Sequence, residues 1–121
     1  MLRFLLLTAV TCSLRAKSST LATAAMALSS TDFEVYGRVQ GVFFRKYTKQ
    51  EAEKLGLRGW CKNTSQGTVL GHVQGPTDKV QSMMAWLKTT GSPSSQIEKA
   101  EFRNQKDINE YTFDNFRIRK D

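Results

Sequence analysis

The run from Val35 to Arg45, VYGRVQGVFFR, constrains the fold of this 121-residue chain most strongly. In its first half, Val35 and Val39 are spaced so that both lie on one face of a β-strand. Glycines flank the loop that follows, and Arg45 lies where a helical pattern begins. Backbone N–H groups in such a loop can turn toward an anion, the helix start adds a positive dipole, and an arginine can bind two phosphate oxygens at once. The pattern predicts a strand, an anion-binding loop and a helix in succession.

The pattern after Arg45 predicts a helix and then a hairpin. Residues 44–55 place four side chains on one helical face, and Gly56 is a natural C-terminal stop; the four are Phe44, Thr48, Ala52 and Leu55. Strands are expected over 57–63 and 68–74, joined by a short turn over 64–67. Asn63 therefore lies at the mouth of the hairpin.

A second helix and two more strands complete the predicted order. Pro76 suits the first helical turn, Asp78 lies near its positive end, and Gly91 and Pro93 end the helix. Its apolar stripe is formed by Val80, Met83, Met84 and Leu87. The tail from 97 to 119 predicts two strands around a turn near 106–109. The order βαββαβ plus one extra strand implies an α+β fold, with an antiparallel sheet covered on one face by two helices.

Two segments resemble the signatures of the acylphosphatase family. The first is Val35 to Arg45, and the second is GWCKNTSQGTV, residues 59–69, followed by Gly75 after five intervening residues. Both are present in full, in order and at the usual separation, and the resemblance extends over about 31–118. It implies a ferredoxin-like sandwich and hydrolysis of the carboxyl–phosphate bond of small acyl phosphates, without metal or cofactor.

The resemblance also assigns roles to residues. It implies that Arg45 binds the phosphoryl group and that Asn63 orients the attacking water. The substrate-binding residues that it implies are Gln40, Gly41, Val42, Phe43, Phe44 and Arg45, acting through their backbone amides and the arginine side chain. The expected partners are a small acyl phosphate and the product, inorganic phosphate. Nucleic acid and stable membrane insertion are not expected, and we expect a monomer.

Each of these residues also has a plain structural interpretation. An arginine at a helix start is more often a solvated side chain, and an asparagine at a strand end is more often a turn residue; the surrounding motifs favour function for Arg45 and Asn63. His72 is the only histidine, and no Cys, His or carboxylate cluster accompanies it at metal-ligand spacing. We interpret His72 as structural or exposed, and Cys61 as a strand-packing residue.

The net charge of +7 leaves two other classes of function to weigh. Residues 1–31 carry three basic residues and no acid, so the remaining excess of +4 is too diffuse to establish a nucleic-acid surface. An RNA-recognition module would need aromatic platforms on its central strands, where this chain has Leu70, His72 and Gln74 on one face. A catalytically silent binding domain is the other alternative, and the presence of both Arg45 and Asn63 argues against it.

Residues 1–31 are predicted to be an N-terminal extension, and residues 32–121 the domain. The extension could be a secretory signal, with Ala22-Thr23-Ala24 as cleavage site, or a mitochondrial presequence, or it is absent if translation starts at Met26. Glycosylation of the sequon at Asn63 would block the site, and Cys61 is the only cysteine outside the extension. We therefore expect a cytoplasmic protein, with the mitochondrion as the alternative.

Overall fold

Five strands and two helices make up the part of the chain that the structure, a computed structural model, describes: residues 27–120. The strands are β1 (Leu28–Arg38), β2 (Arg58–Asn63), β3 (Val69–Pro76), β4 (Gln96–Ile108) and β5 (Phe116–Ile118). The helices are α1 (Phe44–Lys54), between β1 and β2, and α2 (Thr77–Thr89), between β3 and β4. The predicted order βαββαβ with one extra strand is confirmed.

The five strands form one sheet in the order β4-β1-β3-β2-β5. Strands β1 to β4 pair antiparallel, as predicted, whereas β5 pairs parallel with β2. The difference follows from the path of the chain. After β4, residues 109–115 lead from one edge of the sheet to the other, and the returning strand runs in the direction of β1 and β2.

The core lies between the helices and one face of this sheet. Alternate residues of the central strands are fully buried there, among them Phe33, Val35, Cys61, Val69 and Val73. Helix α1 contributes Phe44, Thr48 and Ala52, and α2 contributes Val80, Met83 and Leu87. Leu55 and Met84, the remaining members of the two predicted stripes, are partly buried against the same core. The helical faces were therefore correctly predicted from the apolar spacing.

Two boundaries differ from the predicted ones. Strand β4 continues through Ile108, so the turn expected near 106–109 follows the strand instead. Strand β4 is that long because Leu28 and Ser29 of β1 pair with Ile108 and Asp107. Strand β1 thus begins within the segment assigned to the extension, whose residues 1–26 lie outside the described part of the chain. In residues 27–120 neither helix is long and apolar enough to cross a bilayer.

Candidate functional site

The loop between β1 and α1 has the backbone geometry of an anion-binding turn. Gly41 and Phe43 both adopt left-handed conformations, with φ of 73° and 58°. No side chain caps the N-terminus of α1, whose backbone hydrogen bonds begin with Tyr47 N donating to Phe43 O at 3.0 Å. The first-turn amides therefore have no partner within the helix, and together with the helix dipole they favour an anion at this end.

A cavity of about 340 Å³ opens at this end of α1 and contains both predicted catalytic residues. It is lined by Val39, Gly41, Phe43, Phe44, Arg45, Lys46, Asn63, Ile118 and Lys120. Arg45 is half-buried in the first turn of α1, and within residues 27–120 its guanidinium makes no hydrogen bond or ion pair. Asn63 reaches the cavity from the end of β2. The structure thus brings Arg45 and Asn63 together, as predicted.

The side-chain oxygen of Asn63 is the unusual atom of this site. Asn63 Oδ1 is buried and has no hydrogen-bond partner among the described residues. An unsatisfied buried acceptor costs about 1–3 kcal/mol, and such groups call for an explanation. A carbonyl oxygen that accepts a hydrogen bond from an attacking water would provide one.

The charged residues of the cavity lining, within residues 27–120, are all basic. Arg45, Lys46 and Lys120 line the cavity, and no aspartate or glutamate of this part of the chain does. The sequence analysis singled out neither lysine. Lys46 follows the motif arginine directly, so its position in the motif is a signal that could have identified it. Lys120 has no local signal, because it reaches the cavity only through the parallel pairing of β5 beside β2.

Gln40 and Val42, two of the predicted phosphate-binding residues, do not line the cavity. Gln40 Nε2 donates to the backbone oxygens of Thr64 and Thr68, each at 2.9 Å, and so ties the loop to the hairpin turn. Val42 is buried in the core. Their side chains therefore have structural roles, and the binding of phosphate by their backbone amides stays a prediction.

A chain of hydrogen bonds fixes the hairpin mouth beside Asn63. The hydroxyls of Thr64 and Thr68 lie 2.6 Å apart, and Thr68 Oγ1 donates to Glu34 Oε2 at 2.6 Å. Arg103 Nη2 donates to the other carboxylate oxygen at 2.9 Å. The hydrogen bonds from Thr68 and then Arg103 lower the pKa of Glu34. The sequence analysis missed this network, because it joins residues of β1, β4 and the hairpin that are distant in the chain.

His72 and Cys61 lie outside the cavity. His72 Nδ1 is 2.6 Å from Asp32 Oδ1, and its Nε2 is 3.2 Å from the side-chain nitrogen of Gln74, so both ring nitrogens have partners. Cys61 is fully buried, and burial raises the pKa of its thiol to about 12 although the charge of Arg45 acts in the opposite direction. A thiol in this state is protonated at neutral pH and is not a nucleophile. The packing of Cys61 within the core is as predicted, and a purely structural role for His72 stays a prediction.

Comparison with known proteins places these features in one family. The acylphosphatase family model matches residues 31–118. Acylphosphatase-2 of Anas platyrhynchos is 58% identical over 84% of this chain and 98% of its own length, and that of Homo sapiens is 58% identical over 78% and 96%. The solved acylphosphatases of Coxiella burnetii and Bacillus subtilis each superpose with a TM-score of 0.67, at 33% and 31% identity, covering 77% and 76% of this chain and 94% and 99% of theirs. The chain belongs to the acylphosphatase family.

Proposed function

We propose that this chain hydrolyses small acyl phosphates to a carboxylate and inorganic phosphate, with Arg45 binding the phosphoryl group and Asn63 orienting the attacking water. Membership of the family supports the activity. The observation that carries the assignment of roles is that Arg45 and Asn63 line one cavity, whose lining within residues 27–120 includes no acidic residue. Among these residues the guanidinium of Arg45 has no hydrogen-bond or ion-pair partner, and the buried side-chain oxygen of Asn63 has no hydrogen-bond partner.

The enzyme need not supply a nucleophile, a metal or a strong base, because a carboxyl–phosphate anhydride is already activated. The enzyme must hold the phosphoryl group, stabilise its charge as the bond to the carboxylate breaks, and place water in line. The planar guanidinium of Arg45 and the first-turn amides of α1 supply donors for the phosphoryl oxygens. Lys46 and Lys120 add positive charge at the same cavity.

Asn63 acts on the water rather than on the phosphoryl group in this proposal. Its Oδ1 accepts a hydrogen bond from the water, whose oxygen attacks phosphorus while the carboxylate leaves. In this proposal a phosphoryl oxygen of the substrate takes up the proton, as the resemblance to the family suggests. Among residues 27–120 no carboxylate or imidazole lines the cavity. The proposed mechanism involves no metal, and residues 27–120 contain no group of three His, Cys, Asp or Glu side chains arranged to hold one.

We further propose that the protein acts as a cytoplasmic monomer. Its catalytic domain comprises residues 32–121 together with residues 28–31, which belong to strand β1, and the residues before Leu28 form a separate segment. A glycan on the sequon would fall on Asn63 itself, and the thiol of Cys61 is buried and reduced. Both features support a reducing compartment without glycosylation. The mitochondrion is the alternative, in which the residues before Leu28 would be the targeting segment.

An assay of the purified chain with benzoyl phosphate and acetyl phosphate tests the function. We expect hydrolysis to be unchanged by EDTA. Inorganic phosphate should inhibit competitively, because it occupies the proposed phosphoryl site formed by Arg45 and the loop before α1. A phosphate monoester, whose leaving group is much poorer, should be cleaved slowly. Activity that disappears with chelator and returns with magnesium would contradict the mechanism, and failure to cleave either acyl phosphate would contradict the function.

A further inference from the structure

An exposed aromatic side chain stands at the rim of the cavity. The ring of Phe43 is 72% exposed, and within residues 27–120 the only other exposed large apolar side chain is that of Tyr47, at 37%. The two are one helical turn apart at the N-terminal end of α1. Phe43 also lines the cavity that contains Arg45 and Asn63. The most exposed large apolar side chain of residues 27–120 therefore lies next to the proposed phosphoryl site.

The backbone of Phe43 is unfavourable for a residue of this kind. Its φ of 58° and ψ of 26° lie in the left-handed region, where the Cβ atom of a bulky residue is crowded. The other residues of the described part of the chain with a positive φ are six glycines and Asn104, the types that tolerate this conformation. Glycine at position 43 would relieve the strain and keep the backbone amide. The phenyl ring is thus present at a conformational cost.

Folding does not account for the ring. Phe43 is outside the hydrophobic core. Within residues 27–120 the one contact recorded for its ring is with Lys46, whose Nζ lies 5.9 Å from the ring centroid. That distance is at the outer limit of a cation–π interaction, and at an exposed site such an interaction is weak. An exposed, strained phenylalanine at a ligand cavity points to contact with the ligand.

The reaction places an acyl group close to this position. A phosphoryl group held by Arg45 is bonded through one oxygen to the acyl carbon, so the acyl group must lie within a few bond lengths of the phosphoryl site. The apolar lining residues closest in the chain to Arg45 are Phe43 and Phe44, and Phe44 is buried. Ile118, on the neighbouring β5, is the other partly exposed apolar residue of the cavity wall.

We propose that the side chains of Phe43 and Ile118 form an acyl-binding subsite, which makes the enzyme prefer acyl phosphates with an aromatic or large apolar acyl group over acetyl phosphate. The subsite rests on the proposed function. The acyl group binds in this subsite, where the phenyl ring shields it from water. The phosphoryl group binds separately, to Arg45 and the loop amides.

Substitution of Phe43 in the full chain tests the subsite, with kcat/KM measured on benzoyl phosphate and acetyl phosphate. Phe43→Gly and Phe43→Ala should lower the kcat/KM for benzoyl phosphate relative to that for acetyl phosphate about tenfold, which is the size of effect that a lost apolar contact gives. Phe43→Tyr, which keeps an aromatic ring, should keep most of the wild-type ratio. Phe43→Gly should also melt at a temperature equal to or higher than that of the wild type, because it relieves the strain. Asn104→Gly, the matched change at the other left-handed residue, should leave the ratio unchanged.

The outcomes separate the subsite from the function. A wild-type chain that cleaves neither substrate overturns the proposed function and the subsite with it. An active wild type whose substrate ratio is the same in Phe43→Gly and Phe43→Ala overturns the subsite alone. An equal loss on both substrates also overturns it, because the ring would then act on the loop or the phosphoryl group.

Discussion

Arg45 and Asn63 line the same cavity, but their side chains offer different chemistry. Arg45 provides a planar, permanently charged fork of donors, which matches two phosphoryl oxygens. Asn63 provides a buried neutral oxygen that has no hydrogen-bond partner among residues 27–120 and can accept one hydrogen bond or more. Local patterns placed Arg45 at a loop followed by a helix start and Asn63 at the end of a strand, because these features are set by neighbours in the sequence. The role of Asn63 came only from the resemblance to the family. The lysine at position 120 was not predictable in this way, since its place depends on the strand order.

Replacement of Arg45 by lysine tests whether the planar guanidinium, with its paired N–H donors, is required for binding the phosphoryl group. The charge is kept but the two-pronged contact is lost, so we expect kcat/KM for an acyl phosphate to fall about a hundredfold, comparable with the loss of one oxyanion donor. Weaker competitive inhibition by phosphate should accompany this loss. Arg117→Lys, at an exposed arginine outside the cavity, is the matched control and should keep wild-type kinetics. Near-normal turnover of Arg45→Lys would show that Arg45 is not the anchor.

At the scale of elements, the site depends on how the β1–α1 loop is joined to the β2–β3 hairpin. Gln40 bridges them through two backbone oxygens, and Thr68 connects the hairpin mouth to Glu34 on β1. The sequence predicted each element but not this connection. Periodicity shows which face of a strand is buried, whereas the pairing register that places Val35 beside Val69 arises only in the folded sheet.

The pH dependence of stability tests the Glu34 connection. Because the pKa of Glu34 in the folded protein is below its ordinary 4.5, the charged carboxylate stabilises the fold above that pH. This stabilisation is lost as the pH falls below 4.5 and through the lowered value. We expect urea unfolding to show wild type more stable than Glu34→Gln at pH 7, with the difference shrinking toward pH 3.

A surface carboxylate provides the control for that experiment. Glu53 forms only a long, exposed ion pair with Lys49, at 3.8 Å, and such pairs contribute little. Glu53→Gln should therefore unfold like the wild type at pH 7. A constant difference between wild type and Glu34→Gln from pH 7 to pH 3 would contradict the proposed role of the Glu34 charge.

For the molecule as a whole, the sequence predicted the fold class and missed one strand direction. Helix faces and the hairpin follow from local spacing, and the resemblance implied the ferredoxin-like sandwich, so these were correctly predicted. The parallel pairing of β5 follows from a connection that reaches the opposite edge of the sheet, which no local pattern encodes. That pairing brings Ile118 and Lys120 to the cavity.

The central claim is that one residue binds the phosphoryl group and another orients water, and paired substitutions with calorimetry of phosphate binding test it most directly. Asn63→Ala should lose most of its turnover yet bind inorganic phosphate with nearly the wild-type affinity, whereas Arg45→Ala should lose both. Circular dichroism checks that both variants are folded. Asn63→Ala that hydrolyses acyl phosphate at the wild-type rate, or that no longer binds phosphate although folded, would contradict the division of roles.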